Sequence, residues 1–258
     1  MPEGDTIHRA AERIGAVLQN RVPEQIESRQ ARHRAERWPD KLEGREVRAV
    51  DAYGKHLFLR FAGGLTMHSH LRISGSWMVQ RQGERWRRGA SRAWLVLRCE
   101  GWEVVQFDGP VLELMSDERA RRDPRLARLG PDVLGESFDE QRYLRLLRED
   151  DPTRPIGDAI LEQRTVAGIG NMWKAEACFA AAVSPWRPQA DISDDEALAL
   201  VRFCRPAMQR SVREGNSARP HNVYRRAGAT CERCGGRIRQ RGQWDDNRIT
   251  YWCPGCQH

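Results

Sequence analysis

The chain has 258 residues and a formal net charge of +7, and 40% of its residues are hydrophobic. This length suits one large domain or two of ordinary size, and the positive charge favours a polyanionic partner such as nucleic acid. An apolar run of the roughly 18 residues that a membrane span needs is lacking, and the N-terminus does not have the layout of a secretory signal. The sequence therefore predicts a cytoplasmic protein.

The N-terminus offers an unusual nucleophile. Pro2 becomes the first residue once the initiator methionine is removed. A secondary amine that attacks a sugar C1′ forms a cationic iminium directly, so the chain terminus can do the covalent work that lysine does in other Schiff-base enzymes. The alternative is that Pro2 is only a small second residue that permits removal of the methionine.

Hydrophobic periodicity predicts strands in the first half of the chain. A helix over about residues 6–19 is followed, up to about residue 115, by short apolar or alternating segments and glycine-containing turns, which are typical of a β-sandwich or barrel. Lys55 follows a glycine at the start of one predicted strand, where it either contacts a phosphate or faces water. His68 and His70 alternate on another strand, which favours packing or a phosphate contact over a metal site. The predicted strands include residues 46–51, 56–61, 94–99 and 103–107.

The second half is predicted to be helical. Asp, Arg and Pro accumulate over residues 116–131, which predicts a linker between domains. The segment Gly168-Ile169-Gly170-Asn171 then connects two helical pieces, and its free helix-start amides are predicted to point toward an anion. The alternative is a purely structural turn between helices. The helices are predicted over about residues 140–149, 156–163, 172–182 and 194–212.

Four cysteines near the C-terminus have the spacing of a zinc site. Two C-x2-C pairs are separated by eighteen residues and comprise Cys231, Cys234, Cys253 and Cys256. Four thiolates leave no open coordination position, so the predicted zinc ion is structural. Two disulfides are the alternative, which a cytoplasmic location disfavours. Residues 247–252 are predicted to form a strand or turn that presents Arg248 to a phosphate.

These features, taken in order along the chain, resemble the formamidopyrimidine-DNA glycosylase and endonuclease VIII family of base-excision repair enzymes. The resemblance covers the whole chain. The residues that carry it are Pro2-Glu3, Gly54-Lys55-His56, the segment from His70 to Gly75, Gly168 to Asn171, and Arg248 within the four-cysteine hairpin.

The resemblance implies an α+β fold in three parts. These are an N-terminal helix with an eight-stranded β-sandwich (1–118), a helical domain with a helix-two-turn-helix motif (132–226) and a four-cysteine zinc finger (227–258). It also implies a bifunctional DNA glycosylase and AP lyase that binds damaged double-stranded DNA, or bubble or single-stranded DNA. We expect a monomer, associated with the nucleoid of a prokaryote.

The resemblance also implies roles for individual residues. The implied catalytic residues are Pro2, Glu3, Lys55 and Arg248, of which Pro2 would form the Schiff base and Glu3 would act as acid and base. The implied DNA contacts are Lys55, His70, Asn171 and Arg248, with Arg72 and Ile73 as candidates to fill the gap that an extruded nucleotide leaves.

Two features favour the endonuclease VIII branch and hence oxidised pyrimidines. The chain opens Pro-Glu-Gly-Asp-Thr, which leaves the role of a second carboxylate to Asp5 or to no residue, and residues 215–228 form a short segment. The alternatives are a glycosylase that prefers 8-oxoguanine or formamidopyrimidine, a non-catalytic DNA-damage binder, and a zinc-ribbon RNA-binding protein.

Overall fold

The structure, a computed structural model, describes residues 2–243 and 248–258. These residues form two compact units. The first contains Pro2 and Thr6–Ala127, and the second contains Glu3–Asp5 and Arg128–His258.

Helix α1 extends over Gly4–Leu18, two residues earlier than the sequence predicts at its start. From Thr6 onward it belongs to the first unit, and its apolar face, which includes Ile7 and Ile14, is buried there. Between α1 and the second strand lie β1 (Gln25–Ser28), α2 (Ala31–Ala35) and α3 (Trp38–Leu42).

Eight strands of the first unit form a sandwich of two antiparallel sheets, which confirms the predicted architecture. One sheet has the order β1-β6-β7-β5 and the other β2-β3-β4-β8. A shared core of aliphatic side chains from both sheets, among them Leu59 and Leu97, lies between them. The strands that follow β1 are β2 (Val47–Tyr53), β3 (His56–Phe61), β4 (Leu65–His70), β5 (Ser76–Arg81), β6 (Ala93–Cys99), β7 (Trp102–Phe107) and β8 (Val111–Ser116).

The segment predicted as a linker over residues 116–131 is more ordered than expected. It contains two short helices, α4 (Asp117–Arg121) and α5 (Pro124–Ala127). The Ser116 hydroxyl caps α4 by accepting a hydrogen bond from the Arg119 amide. The composition of the segment resembles a loop because helices this short carry no apolar repeat.

The second unit is helical up to its C-terminal hairpin. Its helices are α6 (Glu140–Glu149), α7 (Ile156–Ala159), α8 (Asn171–Ala180) and α9 (Asp194–Glu214). Ser193 and Glu196 form a reciprocal capping box at the start of α9. The predicted helices are confirmed, although α7 ends four residues earlier than predicted. Helix α8 is almost wholly buried, and Trp173 lies in the central core of the unit.

The chain ends in a two-stranded antiparallel hairpin of β9 (Arg239–Gln243) and β10 (Arg248–Trp252). A separate small core joins this hairpin and its cysteines to α8 through Ala175 and Phe179. The predicted strand over residues 247–252 is confirmed from Arg248 onward, whereas Asn247 lies outside the described residues. Among the described helices, none is long and apolar enough to cross a membrane.

Candidate active site

The carboxylate of Glu3 caps the N-terminal end of α8. Glu3 is only 1% exposed, and its two oxygens accept hydrogen bonds from the amides of Gly170 at 3.1 Å, Met172 at 2.9 Å and Trp173 at 3.4 Å. The first amides of a helix have no partner within the helix, and the positive end of its dipole attracts an anion. A buried carboxylate is therefore compensated at this position.

Glycines allow the chain start to approach this turn. Gly168 has a φ of +103°, a conformation that favours glycine. Its carbonyl accepts a 2.9 Å hydrogen bond from the amide of Gly4. A Cβ atom at Gly170 would lie 2.3 Å from Cδ of Glu3, and one at Gly4 would lie 2.9 Å from Cα of Gly168. The two segments can meet only because side chains are absent from both faces of the contact.

The sequence interpretation of these amides was wrong in one respect. They were expected to be free for an anion, but the protein itself supplies the anion through Glu3. Nothing in local sequence joins Glu3 to residues more than 160 positions later, so the pairing could not be deduced from the turn alone.

Asp5 has a structural environment. Its buried carboxylate receives two hydrogen bonds of 2.7 Å from the guanidinium of Arg219 and one of 2.6 Å from the hydroxyl of Ser211. The sequence left the role of a second carboxylate to Asp5 or to no residue. Because these bonds hold Asp5 in the interior, the structure supports the second possibility.

Asn171 and Arg248 lie near Glu3 within the second unit. Asn171 is the first residue of α8, and its side-chain Nδ2 donates a 2.8 Å hydrogen bond to the carbonyl of Ile249. Arg248 is exposed at the start of β10, directly before Ile249. The turn before α8 and the C-terminal hairpin thus bring three of the predicted residues to one end of this helix.

The remaining predicted contacts lie together in the first unit. Lys55 occupies the two-residue turn between β2 and β3, in which Gly54 has a φ of +55°. The following residue, His56, pairs in register with His70 at the end of β4. Lys55 is close enough to His70 for its charge to contribute to the low pKa of that histidine.

His70 is a neutral hydrogen-bond donor at pH 7. Burial, with smaller contributions from the charges of Arg72 and Lys55, lowers its pKa to about 4. Its Nδ1 accepts a 3.2 Å hydrogen bond from the backbone amide of Arg72. The ring proton therefore lies on Nε2, the nitrogen available to an acceptor.

The segment after β4 carries an exposed apolar side chain. Arg72 adopts a left-handed conformation with a φ of +49°, which turns the chain out of the strand. Ile73 is 74% exposed, which is unusual for isoleucine. The structure thus places Ile73 where it could contact another molecule, and it leaves the role of both residues as predictions.

A partly buried chain of polar groups near His70 was not expected from the sequence. Nδ1 of His56 lies 2.8 Å from Nε2 of His68, whose Nδ1 lies 3.3 Å from the carboxylate of Glu113. Arg125 binds both Glu113 and Asp123. Burial lowers the pKa of His56 to about 3 and also lowers that of His68, so the pair is neutral. The alternation of histidines was visible, but their acidic partner follows 45 residues later.

The four C-terminal cysteines form a cluster that can hold a metal ion. All four sulfur atoms lie within 4.8 Å of one another. Sγ of Cys231 is 3.8 Å from that of Cys256, and Sγ of Cys234 is 3.4 Å from that of Cys253. Tetrahedral bonds of about 2.3 Å would place thiolates about 3.8 Å apart, whereas a disulfide would need about 2.0 Å. The geometry favours the metal site over the two disulfides.

This combination of an eight-stranded sandwich, a helical unit closed by an N-terminal carboxylate and a four-cysteine hairpin defines a class of protein. Residues 1–112 match the formamidopyrimidine-DNA glycosylase N-terminal domain, and residues 129–221 match the formamidopyrimidine-DNA glycosylase H2TH domain. The chain therefore belongs to the formamidopyrimidine-DNA glycosylase family, and the predicted helix-two-turn-helix domain is confirmed.

Similar sequences come from several bacteria. The chain is 40% identical to "Probable endonuclease 8 2" of Streptomyces coelicolor, with 100% of this chain and 94% of the relative covered. It is 33% identical to "DNA-(apurinic or apyrimidinic site) lyase Nei2" of Mycolicibacterium smegmatis, with 100% and 99% covered. It is 31% identical to "Endonuclease 8" of Klebsiella pneumoniae, with both chains fully covered.

Solved structures confirm the fold. The Lactococcus lactis Fpg protein in complex with DNA that contains an abasic site superposes with a TM-score of 0.84 over 100% of both chains, at 22% identity. A structure of MutM in complex with carbocyclic 8-oxo-G containing DNA superposes with a TM-score of 0.83, also at 22% identity and full coverage.

The contact between Gly170 and Glu3 generates a prediction about stability. We expect Gly170→Ala to lower the free energy of unfolding by about 1–3 kcal/mol, because the added methyl group overlaps Glu3 and displaces its carboxylate from the amides. Urea unfolding measures the change. Gly89→Ala is the matched control, since a Cβ atom there would meet only the Ser91 hydroxyl at 3.9 Å. Equal stabilities of the two variants would contradict the close contact.

Proposed function

We propose that the protein is a bifunctional DNA glycosylase and AP lyase of base excision repair, in which Pro2 is the nucleophile. One observation carries this proposal. Glu3 directly follows Pro2 in the sequence, and its carboxylate is fixed by the amides at the start of α8. The names of the relatives, endonuclease 8 and DNA-(apurinic or apyrimidinic site) lyase, support the same activity. The net charge of +7 supports a nucleic-acid substrate.

The first chemical step is base loss. The unprotonated amine of Pro2 attacks C1′ of the damaged nucleotide, and the bond between C1′ and the base breaks. The base leaves with the electron pair of that bond and takes a proton from solvent. The Glu3 carboxylate accepts the proton that the Pro2 nitrogen loses and passes it to O4′ as the sugar ring opens. The ring-opened sugar then remains bound to Pro2 as an iminium. Hydrogen bonds from the helix-start amides hold the carboxylate in one orientation, which suits it to proton transfer.

Strand cleavage follows from the same intermediate. The iminium withdraws electrons from C1′, so a proton at C2′ becomes acidic and the 3′-phosphate leaves by β-elimination. Loss of a further proton expels the 5′-phosphate by δ-elimination. Water then hydrolyses the iminium and releases the free amine of Pro2. The chain thus cuts the strand on both sides of the lesion.

The substrate is damaged double-stranded DNA, which the protein binds as a monomer. Lys55, Asn171 and Arg248 contact the phosphates that flank the extruded nucleotide, and His70 donates a hydrogen bond from Nε2. Positive charges and neutral donors both suit phosphate oxygens. Arg72 and Ile73 enter the gap in the duplex, a role that the 74% exposure of Ile73 supports.

The lesions are oxidised pyrimidines. The short segment over residues 215–228 supports this preference because it offers little material to cover an oxidised purine. The structure also ties part of that segment down. The buried carboxylate of Glu176 accepts hydrogen bonds of 2.8 to 3.0 Å from the Asn222 side chain and from the amides of Asn222, Val223 and Tyr224.

The metal in the four-cysteine cluster is a single structural zinc ion. Four sulfur ligands suit zinc and leave no open position for water or substrate, so the ion stabilises the hairpin that carries Arg248. The proposed DNA substrate and the bacterial relatives support a location in the cytoplasm, in association with the nucleoid.

The covalent intermediate provides the test of the proposed chemistry. We expect sodium borohydride to reduce the iminium and trap the protein on a duplex with an abasic site. A protein with an N-terminal extension that blocks Pro2 should give no adduct, and protease removal of the same extension should restore it. Gel electrophoresis measures the adduct. A non-catalytic DNA binder or an RNA-binding protein would give none in either form, and an adduct with the blocked protein would show that Pro2 is not the nucleophile.

Lesion preference is tested separately by single-turnover excision. We expect thymine glycol and dihydrouracil to be released faster than 8-oxoguanine opposite cytosine, since residues 215–228 leave an oxidised purine uncovered. Cleavage of an abasic site in the same duplex is the control, because it needs no base recognition. Faster release of 8-oxoguanine would assign the chain to the purine-specific type instead.

A further inference from the structure

Lys174 is a buried lysine that the proposed chemistry does not use. It is 0% exposed on α8 and is one of three lysines in a chain with 43 lysine and arginine residues. We propose that Lys174 is a positioning residue that ties β10 to α8, so that Arg248 is fixed relative to the carboxylate of Glu3. This inference rests on the proposed role of Arg248 as a phosphate contact.

The geometry of the connection is direct. Nζ of Lys174 donates hydrogen bonds to Oγ1 of Thr250 at 2.5 Å and to Oε1 of Gln243 at 3.3 Å. One turn earlier on the same helix, Asn171 holds the carbonyl of Ile249. Residues three apart on a helix share one face. One face of α8 therefore forms hydrogen bonds with Ile249 and Thr250, the two residues of β10 that follow Arg248.

The same helix holds Glu3 by its first amides. Bonds at the first turn of α8 and at Lys174 therefore connect the strand that follows Arg248 to the helix that holds Glu3. Arginine has a long side chain, and it can meet a phosphate in one geometry only if the strand beneath it is fixed.

The energetics argue that Lys174 is not present for stability. Burial lowers the pKa of Lys174 to about 8, the charge of Arg248 lowers it further, and Cys178, Asp158 and Glu3 act in the opposite direction. The folded protein therefore holds this proton less tightly than the unfolded chain does, so the buried charge costs stability at neutral pH.

The partners of Lys174 do not need it for their own hydrogen bonding. The Thr250 hydroxyl donates to Oε1 of Gln243, and the Gln243 amide donates to the carbonyl of Pro185. An apolar side chain of similar length at position 174 would leave these bonds in place. The lysine adds the connection between helix and hairpin, and we assign its role to that connection.

Lys174→Met tests the proposal in the full-length, metal-loaded protein. We expect the thermal midpoint at pH 7 to be equal to or above that of the wild type, because a buried charge is removed. We expect the affinity for a duplex containing tetrahydrofuran, a stable abasic-site analogue, to fall by at least about tenfold, because Arg248 loses its fixed position. Fluorescence anisotropy and thermal denaturation measure the two quantities.

Two further variants keep the test decisive. Thr250→Val removes the other end of the bond and should weaken binding to a similar extent, and the double variant with Lys174→Met should bind no worse than either single one. Tyr143→Phe is the matched control, because it removes a different buried hydrogen bond in the same unit, from the Tyr143 hydroxyl to the Ala197 carbonyl. It should lose stability and keep its affinity.

The proposal is overturned if Lys174→Met and Thr250→Val bind as tightly as the wild type. It is also overturned if the two variants lose affinity but at the same time lose more stability than Tyr143→Phe does. Arg248→Ala separates this outcome from failure of the proposed function. If Arg248→Ala weakens binding and Lys174→Met does not, the phosphate contact stands without the connection; if neither does, the contact itself is wrong.

Discussion

The candidate site in the second unit depends on the hydrogen bonds between the carboxylate of Glu3 and the amides at the start of α8. Three amides that have no partner within the helix donate hydrogen bonds to the buried carboxylate. These bonds satisfy the amides and offset the cost of burying the charge. The glycines at positions 4 and 170 then follow as a steric requirement, since side chains there would meet the opposite segment. Gly168 has a φ of +103°, which favours glycine.

Helix α8 extends this constraint to the rest of the second unit. Its first turn fixes Glu3, Asn171 and Lys174 hold the C-terminal hairpin, and Glu176 binds a row of amides in the segment after α9. The polar side chains of a nearly wholly buried helix thus lead to three separate parts of the chain. Burial of so many polar groups is tolerated because each carboxylate and the ammonium has hydrogen-bond partners. The same arrangement makes the helix a common frame for Glu3 and for Arg248.

Much of this fold was predictable from the sequence, and the exceptions have physical reasons. Periodicity located α6 and β3 with their observed bounds, and cysteine spacing located the metal cluster, because these signals are local. Local patterns also indicated the order of strands, helices and cysteine hairpin, and the resemblance to a known family supplied the number of strands and the helix-two-turn-helix motif. Long-range pairings were beyond both: Asp5 was a candidate site residue until its ion pair with Arg219 placed it in the interior. The burial of Lys174 was equally invisible in the sequence, since burial of a charge is decided by tertiary packing.

The central claim is that Glu3 holds the first amides of α8, and amide hydrogen exchange tests it most directly. In the wild type the amides of Gly170, Met172 and Trp173 should exchange slowly, and in Glu3→Ala they should exchange much faster. The amide of Lys174, which bonds to the carbonyl of Gly170 within the helix, should change little. Unchanged exchange at the amides of Gly170, Met172 and Trp173 in Glu3→Ala would contradict the account, because the protection of these three amides would then not depend on the carboxylate.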